Sequence, residues 1–246
     1  MRDIKNKLTS SKSSKNIKTA RGKSFGYQVL GFGSGGAAAE AFITASGGCV
    51  ATDGDFKVHT FTGNGTFTVC SVASVAANNA VAYLIVAGGA GAGEGMGAGA
   101  GGGYREGTTA PVVPYCASPL VNCAGITVTA TSFPIVIGAA GGEAPPTGNV
   151  TNGANTVALG LTSTGGGRGG NRGCWAGTPG GSGGGGGDYT PATAGNGNTP
   201  PVSPPQGNPG GESPSPTEAS GGGGGAGSAG SGSSPGAGTT SSITGS

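Results

Sequence analysis

The residues able to do chemistry are few. The chain has one histidine, His59, and five cysteines, Cys49, Cys70, Cys116, Cys123 and Cys174. A structural zinc needs four soft ligands in close pairs, but no Cys-x-x-Cys occurs and the histidine stands alone, so no metal is expected. Cys116 and Cys123 are close enough in sequence to close a short disulfide loop; in a cytosol they would stay reduced. Asp53 and Asp55 in TDGDF begin like a calcium loop but lack its further oxygen ligands and its twelfth-position glutamate. A turn before a strand is the better account of them. No serine or cysteine pattern builds a triad around His59, and alternation places it on the polar face of a strand. Arg168 and Arg172 in GGGRGGNRG have the look of an RGG segment, yet there are only two of them in an acidic region, and no nucleic-acid partner is expected. No catalytic residue and no cofactor is expected.

Composition narrows the class. Of 246 residues, 59 are glycine and 16 proline, while only 9% are charged. Such a chain cannot build two ordinary apolar cores, and it lacks the high net charge usual in disordered sequence. Charge is uneven: residues 1–23 carry eight Lys/Arg against the single acid Asp3, leaving the remainder net acidic. That basic arm has no apolar core of a secretory signal and reads as a flexible tail, or as one that orders on an acidic partner. Ala80–Ala87 is the longest apolar run, far short of a membrane span, so no membrane insertion is expected.

The elements that must position any site are mainly β, with little α-helix. Ser24–Gly48 opens with aromatic and β-branched residues and holds a short helix-compatible stretch, AAAEAFI. FKVHTF (Phe56–Phe61) and TFTVCSV (Thr66–Val72) alternate with period two around GNG, which predicts a hairpin with a positive-φ turn. Val81–Ala87 is apolar on both faces and predicts a central strand. Residues 126–140 and 155–161 supply further strands.

The rest is glycine in blocks separated by loops rich in proline, threonine, asparagine and serine: Gly88–Gly103, Gly138–Gly142, Gly165–Gly187 and Gly221–Gly238. A glycine block can be flexible coil, silk-like sheet, or a bundle of polyglycine II-type helices whose outward N–H and C=O groups bond to neighbours. Glycine at 221, 224, 227, 230 and 236 leaves one face of a threefold helix nearly bare, which favours the bundle. Within Gly88–Gly103 the non-glycine residues recur every second position, which fits silk-like pairing better. The expected organisation is a basic arm (1–23), an attachment segment (24–54), a hairpin and strand region (55–87), and a glycine-rich bundle with long loops (88–246).

FKVHTFTGNGTFTV, then VAYLIVAGGAGAG, AGGGYREG and NTPPVSPPQGNPGG, closely resemble the glycine-rich domain proteins of tailed bacteriophages, found among tail-fibre adhesins and virion structural proteins. The likeness runs from about Asp55 to the C-terminus. It implies a polyglycine II sandwich displaying loops to a host cell-surface receptor, no catalysis, and residence in the virion beside other tail or capsid proteins, with homo-oligomerisation open. Receptor contacts would fall on Tyr104, Arg105, Tyr115, Arg172, Trp175 and Tyr189, beside glycine blocks. Particle attachment would use Lys12, Lys15, Lys18, Arg21, Lys23, Phe25 and Tyr27. A capsid decoration or fibre-adaptor protein without a receptor is the competing reading. An ice-binding protein and a disordered silk-like matrix protein are more remote ones.

Overall fold

Alternation of apolar and polar side chains sets the first sheet. In the computed structural model β1 (Thr44–Ser46) and β10 (Ser132–Ile135) flank β4 (Gly65–Ser71), both antiparallel to it. The structure describes residues 41–93, 97–108, 117–142, 150–171, 176–188, 192–213 and 219–244. Those from Phe42 on fall in one compact unit. β4 buries Phe67 and Val69 and turns Thr66 and Cys70 outward. Thr68 Oγ1 meets Ser132 Oγ at 3.0 Å and Thr44 Oγ1 meets Ser71 Oγ at 2.6 Å, cross-strand pairs that each add a few tenths of a kcal/mol up to about 1 kcal/mol. Pro134 is tolerated because β10 is an edge strand with β4 as its neighbour.

The predicted hairpin does not form. β3 (Phe56–Thr60) pairs with β2 (Cys49–Asp53), while β4 pairs with β1 and β10. The reason lies upstream, where Gly47 (φ 109°) and Gly48 (φ 67°) take positive-φ conformations that favour glycine, with the carbonyls of Thr66 and Thr60 where a Cβ would stand, and send the chain out of β1 into the β2–β3 ribbon. Neither glycine of GNG has positive φ; Asn64 instead accepts the Ile137 amide on Oδ1 at 2.8 Å. The turn expected at Asp53–Asp55 is present, with Gly54 at φ 56°.

Val81–Ala87 is not a central strand. It divides into β5 (Ala80–Val81), paired with β9 (Ile126–Thr127), and β6 (Tyr83–Val86), at the edge of a sheet ordered β6–β7–β8. β7 (Tyr104–Gly107) runs antiparallel to β6 and parallel to β8 (Val121–Asn122). Residues 155–161 fold back as a hairpin of β11 (Thr156–Ala158) and β12 (Leu161–Ser163). Leu159 (φ 53°) and Gly160 (φ 77°) make its two-residue turn, the positive-φ pair that fits right-twisted strands. One 3₁₀ turn, Ala76–Asn79, is the helical element among the described residues.

One apolar cluster joins these sheets: Phe67, Val69, Tyr83, Ile85, Val128, Ile135 and Ala158, flanked by Ile43, Phe61, Phe133 and Leu161. Burying each large side chain stabilises the fold by about 1.5–3 kcal/mol. Along β6 and β7, Tyr83 and Ile85 face this cluster and share their side with Arg105 and Gly107; Leu84, Val86, Tyr104 and Glu106 share the opposite side.

The bundle of polyglycine II helices expected from the sequence is not seen. Regular structure among the described residues is short strands in small sheets with almost no helix, and the glycine tracts are non-repetitive chain. The tracts are also too short for rods because the chain reverses inside them. Gly93 donates to Gly97 and Ala90 to Ala100, folding the first block on itself; Gly225 donates to Ser228, and Ser231 pairs with Ser234 around Gly232 at φ 53°. The described residues of 88–103 form no strand either, so a silk-like sheet does not describe them.

Main-chain bonds cross-connect the tracts. Ala98 donates to Gly221 (3.1 Å), Gly221 to Gly186 (2.7 Å), Gly185 to Ala98 (2.9 Å) and Gly170 to Gly185 (2.9 Å). Contact this close leaves no space for side chains: a Cβ on buried Gly185 would collide with the carbonyl of Gly221. Gly101, by contrast, is exposed and has nothing in the way. Gly185→Ala is therefore expected to destabilise by about 1–3 kcal/mol or more, read as a fall in Tm of about 2–4 °C per kcal/mol for a chain of this size. Gly101→Ala should melt within a degree or two of wild type, and equal melting of both variants would refute this packing.

Candidate functional site

Asn198 and Gln206 bracket a loop whose residues combine exposure with hydrogen-bonded support from within. Asn198 sits at φ 49°, a conformation asparagine tolerates, and its Oδ1 accepts the amides of Val202 (3.0 Å) and Gln206 (3.2 Å) while its Nδ2 donates to the Val202 carbonyl (3.1 Å). Gln206 is fully buried. Its Oε1 accepts the Thr164 amide (2.8 Å), its Nε2 donates to Thr164 Oγ1 (3.2 Å) and the Pro200 carbonyl (3.1 Å), and its own carbonyl accepts the Tyr104 amide (2.8 Å). Thr199–Pro200 and Ser203–Pro204 are cis. Pro200, Pro201, Ser203 and Pro205 are left exposed.

The ground under the loop is equally fixed. Gly103 donates to Thr164 (2.7 Å), Ser163 Oγ donates to the Gly103 carbonyl (2.6 Å), and the amides of Asn198 and Thr199 reach Gly181 (2.8 Å) and Gly180 (3.1 Å). On the far side Asn208 Nδ2 donates to the carbonyls of Gly225 (3.1 Å) and Ala226 (2.8 Å). A loop held at both ends and through its middle loses little entropy when it meets a partner.

Beside it on β7 lies a buried acid. Glu106 is 2% exposed and accepts Tyr104 Oη (2.9 Å) and the Ser118 amide (2.9 Å) on Oε2, and Ser241 Oγ (2.6 Å) on Oε1. Burial pushes its carboxyl upward, but the hydrogen bonds from Ser118, Ser241 and Tyr104 outweigh it and hold the group below its ordinary value. The Tyr104 hydroxyl is pushed up to about 12, first by burial and further by its bond to the Glu106 carboxylate, against opposing bonds from Ser118 and Ser241. It therefore remains a donor.

Of the residues expected to meet a receptor, Tyr104 is buried with its hydroxyl committed to Glu106, and Arg105 is half-buried with Nη1 on the Thr162 carbonyl (3.1 Å). Tyr104 thus closes the interior instead of presenting a ring to solvent. Tyr115, Arg172, Trp175 and Tyr189 lie outside the described residues, as do Lys12, Lys15, Lys18, Arg21, Lys23, Phe25 and Tyr27. Among the described residues no three His, Cys, Asp or Glu groups gather as a metal site. Cys49, Cys70 and Cys123 are free and exposed, and Cys116 lies outside the described residues. His59 donates from Nδ1 to the Gly47 carbonyl (2.8 Å) and sets its ring edge-on to Phe67, centroids 5.1 Å apart. Those contacts give it a structural part.

The sequence reading missed Gln206, Asn198 and Glu106 as positioning residues. The repeated proline pairs flanked by Asn and Gln were a usable signal for the first two; a lone glutamate between arginine and glycine gave none.

A family model described as a glycine-rich domain matches residues 60–246, from the end of β3 through the loop to the C-terminus. The chain belongs to this glycine-rich domain family. No curated protein and no solved structure matches it. The matched span takes in all the cross-connected glycine tracts and the Asn198–Gln206 loop, whereas β1 and β2 precede it.

Replacing Gln206 by alanine strands the half-buried Thr164 amide, at about 1–3 kcal/mol. The expected outcome is a lower Tm together with faster amide exchange at Val202 and Gly207. Unchanged exchange at both would show that the loop is held by other means.

Proposed function

We propose that this glycine-rich domain protein is a non-enzymatic structural component of a bacteriophage virion: a tail-fibre or fibre-tip adhesin that presents loops to a host-surface receptor. The observation that carries this reading is the 198–206 loop, exposed at its prolines and locked from beneath by Gln206 and Asn198. Binding residues sit preferentially on loops positioned by a rigid scaffold. The resemblance of the FKVHTFTGNGTFTV and VAYLIVAGGAGAG stretches and of the proline loop to phage glycine-rich proteins supports the virion setting.

Assembly onto other virion proteins has its own support. Phe42 (65% exposed), Val50 (49%) and Phe56 (36%) stand uncovered at the N-terminal side of the chain, on and beside a two-stranded ribbon that is marginal by itself. By the register Val50 and Phe56 lie on opposite faces of the ribbon, so they offer a partner one apolar group on each face and not a single patch. The same observation favours, as a second reading, an adaptor or capsid decoration protein that docks without binding a receptor.

Fab fragments raised against the 198–206 loop separate the readings. The adhesin reading expects immunogold at fibre tips and Fab-blocked adsorption to cells; label on the capsid shell with normal adsorption favours decoration, and absence of label from particles defeats both. Attachment is tested by removing residues 1–41, which spares β1. The truncated chain is expected to stay folded and to be lost from particles, and normal incorporation would exclude the basic arm as the anchor.

A further inference from the structure

Leu84, Val86, Tyr104 and Glu106 share the side of the β6–β7 pair turned away from the apolar cluster. An open groove of about 380 Å³ lies there, lined by Val86 and Tyr104 of the pair, by glycines of the first and last tracts, and by the segment from Pro235 to Thr239. Up to Ala237 that last segment is anchored to the glycine tract before it: Gly236 donates to Gly223 (2.9 Å), and Ala237 bonds Ser228 through its amide (2.9 Å) and Gly227 through its carbonyl (2.9 Å). Past it the chain returns to the sheet at Ser241, whose hydroxyl donates to Glu106 Oε1 and accepts the Ile243 amide (3.3 Å).

We propose that residues 239–244 form a detachable strap along the rim of this groove, held shut by the Glu106 carboxylate and released when that carboxylate loses its charge. The groups facing Glu106 are the Tyr104 phenol from its own strand, the Ser118 amide and hydroxyl from the segment before β8, and the Ser241 hydroxyl from the strap. Its cross-strand neighbours, Leu84 on β6 and Val121 on β8, are apolar. Arg105 and Tyr83 lie on the other side of the pair, where Arg105 is bonded to Thr162. The acid is thus held by donors alone, and a protonated carboxyl turns one of its acceptor oxygens into a competing donor.

The sign follows from a carboxyl held below its ordinary value. Its contribution is complete above the usual carboxylate range and disappears as pH falls through the lower folded value. The strap therefore stays shut at neutral and mildly acidic pH and opens in stronger acid, before the apolar cluster gives way.

Hydrogen exchange of the full chain, corrected for intrinsic rates and followed from pH 7 to pH 3, reads this directly. At pH 7 the Ile243 amide, which Ser241 Oγ accepts, should be protected in wild type and exchange about tenfold faster or more in Glu106→Gln, the change expected from losing a hydrogen bond to a charged acceptor. Ser241→Ala should release the strap while preserving the buried acid, which covers the case in which Glu106→Gln fails to fold. Glu212→Gln, at an exposed acid, should behave as wild type. Acid should release 239–244 in wild type while the amides of β4 remain protected. Equal protection in Glu106→Gln, Ser241→Ala and wild type would overturn the proposal, as would loss of β4 and strap protection in a single step.

Discussion

Everything in the glycine-rich part rests on contact between bare main chains. Tracts approach so closely that the space a Cβ would fill is already held by another tract's carbonyl, as at Gly185 and Gly221. That closeness lets Ala98, Gly170, Gly185 and Gly221 exchange hydrogen bonds directly, and it is possible only where side chains are missing. Glycine loses more freedom on ordering than any other residue, so the tracts stay ordered only because their buried N–H and C=O groups are satisfied by one another. The apolar cluster around Phe67, Val69 and Ile85 does a different job, joining small sheets into a base from which the tracts start.

The loop and the buried acid are consequences of that platform. Gln206 can reach Thr164, Pro200 and Tyr104 at once because Gly103 and Thr164 are already bonded beneath it. Its side chain ties the proline loop to β7 and to the strand end after β12. Glu106, two residues along β7 from Tyr104, works in the same way for the C-terminal segment through Ser241. In both cases one buried polar side chain, fully hydrogen-bonded, joins segments that the apolar cluster does not touch.

Much of the β content was legible in the sequence, and its pairing was not. Alternation marks Thr66–Val72 as a strand, but nothing local reveals that Gly47 and Gly48 turn the chain and hand β4 to β1 and β10. Val81–Ala87 reads as apolar on both faces because one side meets the cluster and the other meets the groove, not because it is central. The glycine blocks suggested close packing correctly through main-chain bonding, but the repeat pattern could not show the reversals at 225–228 and 231–234, and the helical bundle inferred from it fails. For the site, aromatic residues next to glycine were a poor guide: Tyr104 is interior, and the exposed surface comes from prolines held by a glutamine and an asparagine.

The Ala98–Gly221 bond has a bearing on how the molecule comes into being. It joins a segment emerging early in synthesis to one emerging near the end, and Gly185 is bonded to the same early segment. Until residues 167–221 have been made, Gly97, Ala98 and Ala100 have water in place of their acceptors Gly170, Gly221 and Gly167, and nothing offsets the entropy of ordering them. Consolidation of these cross-links must therefore be late, which places this part of the molecule among slow, topologically long-range folders whatever the ease with which its first sheet closes.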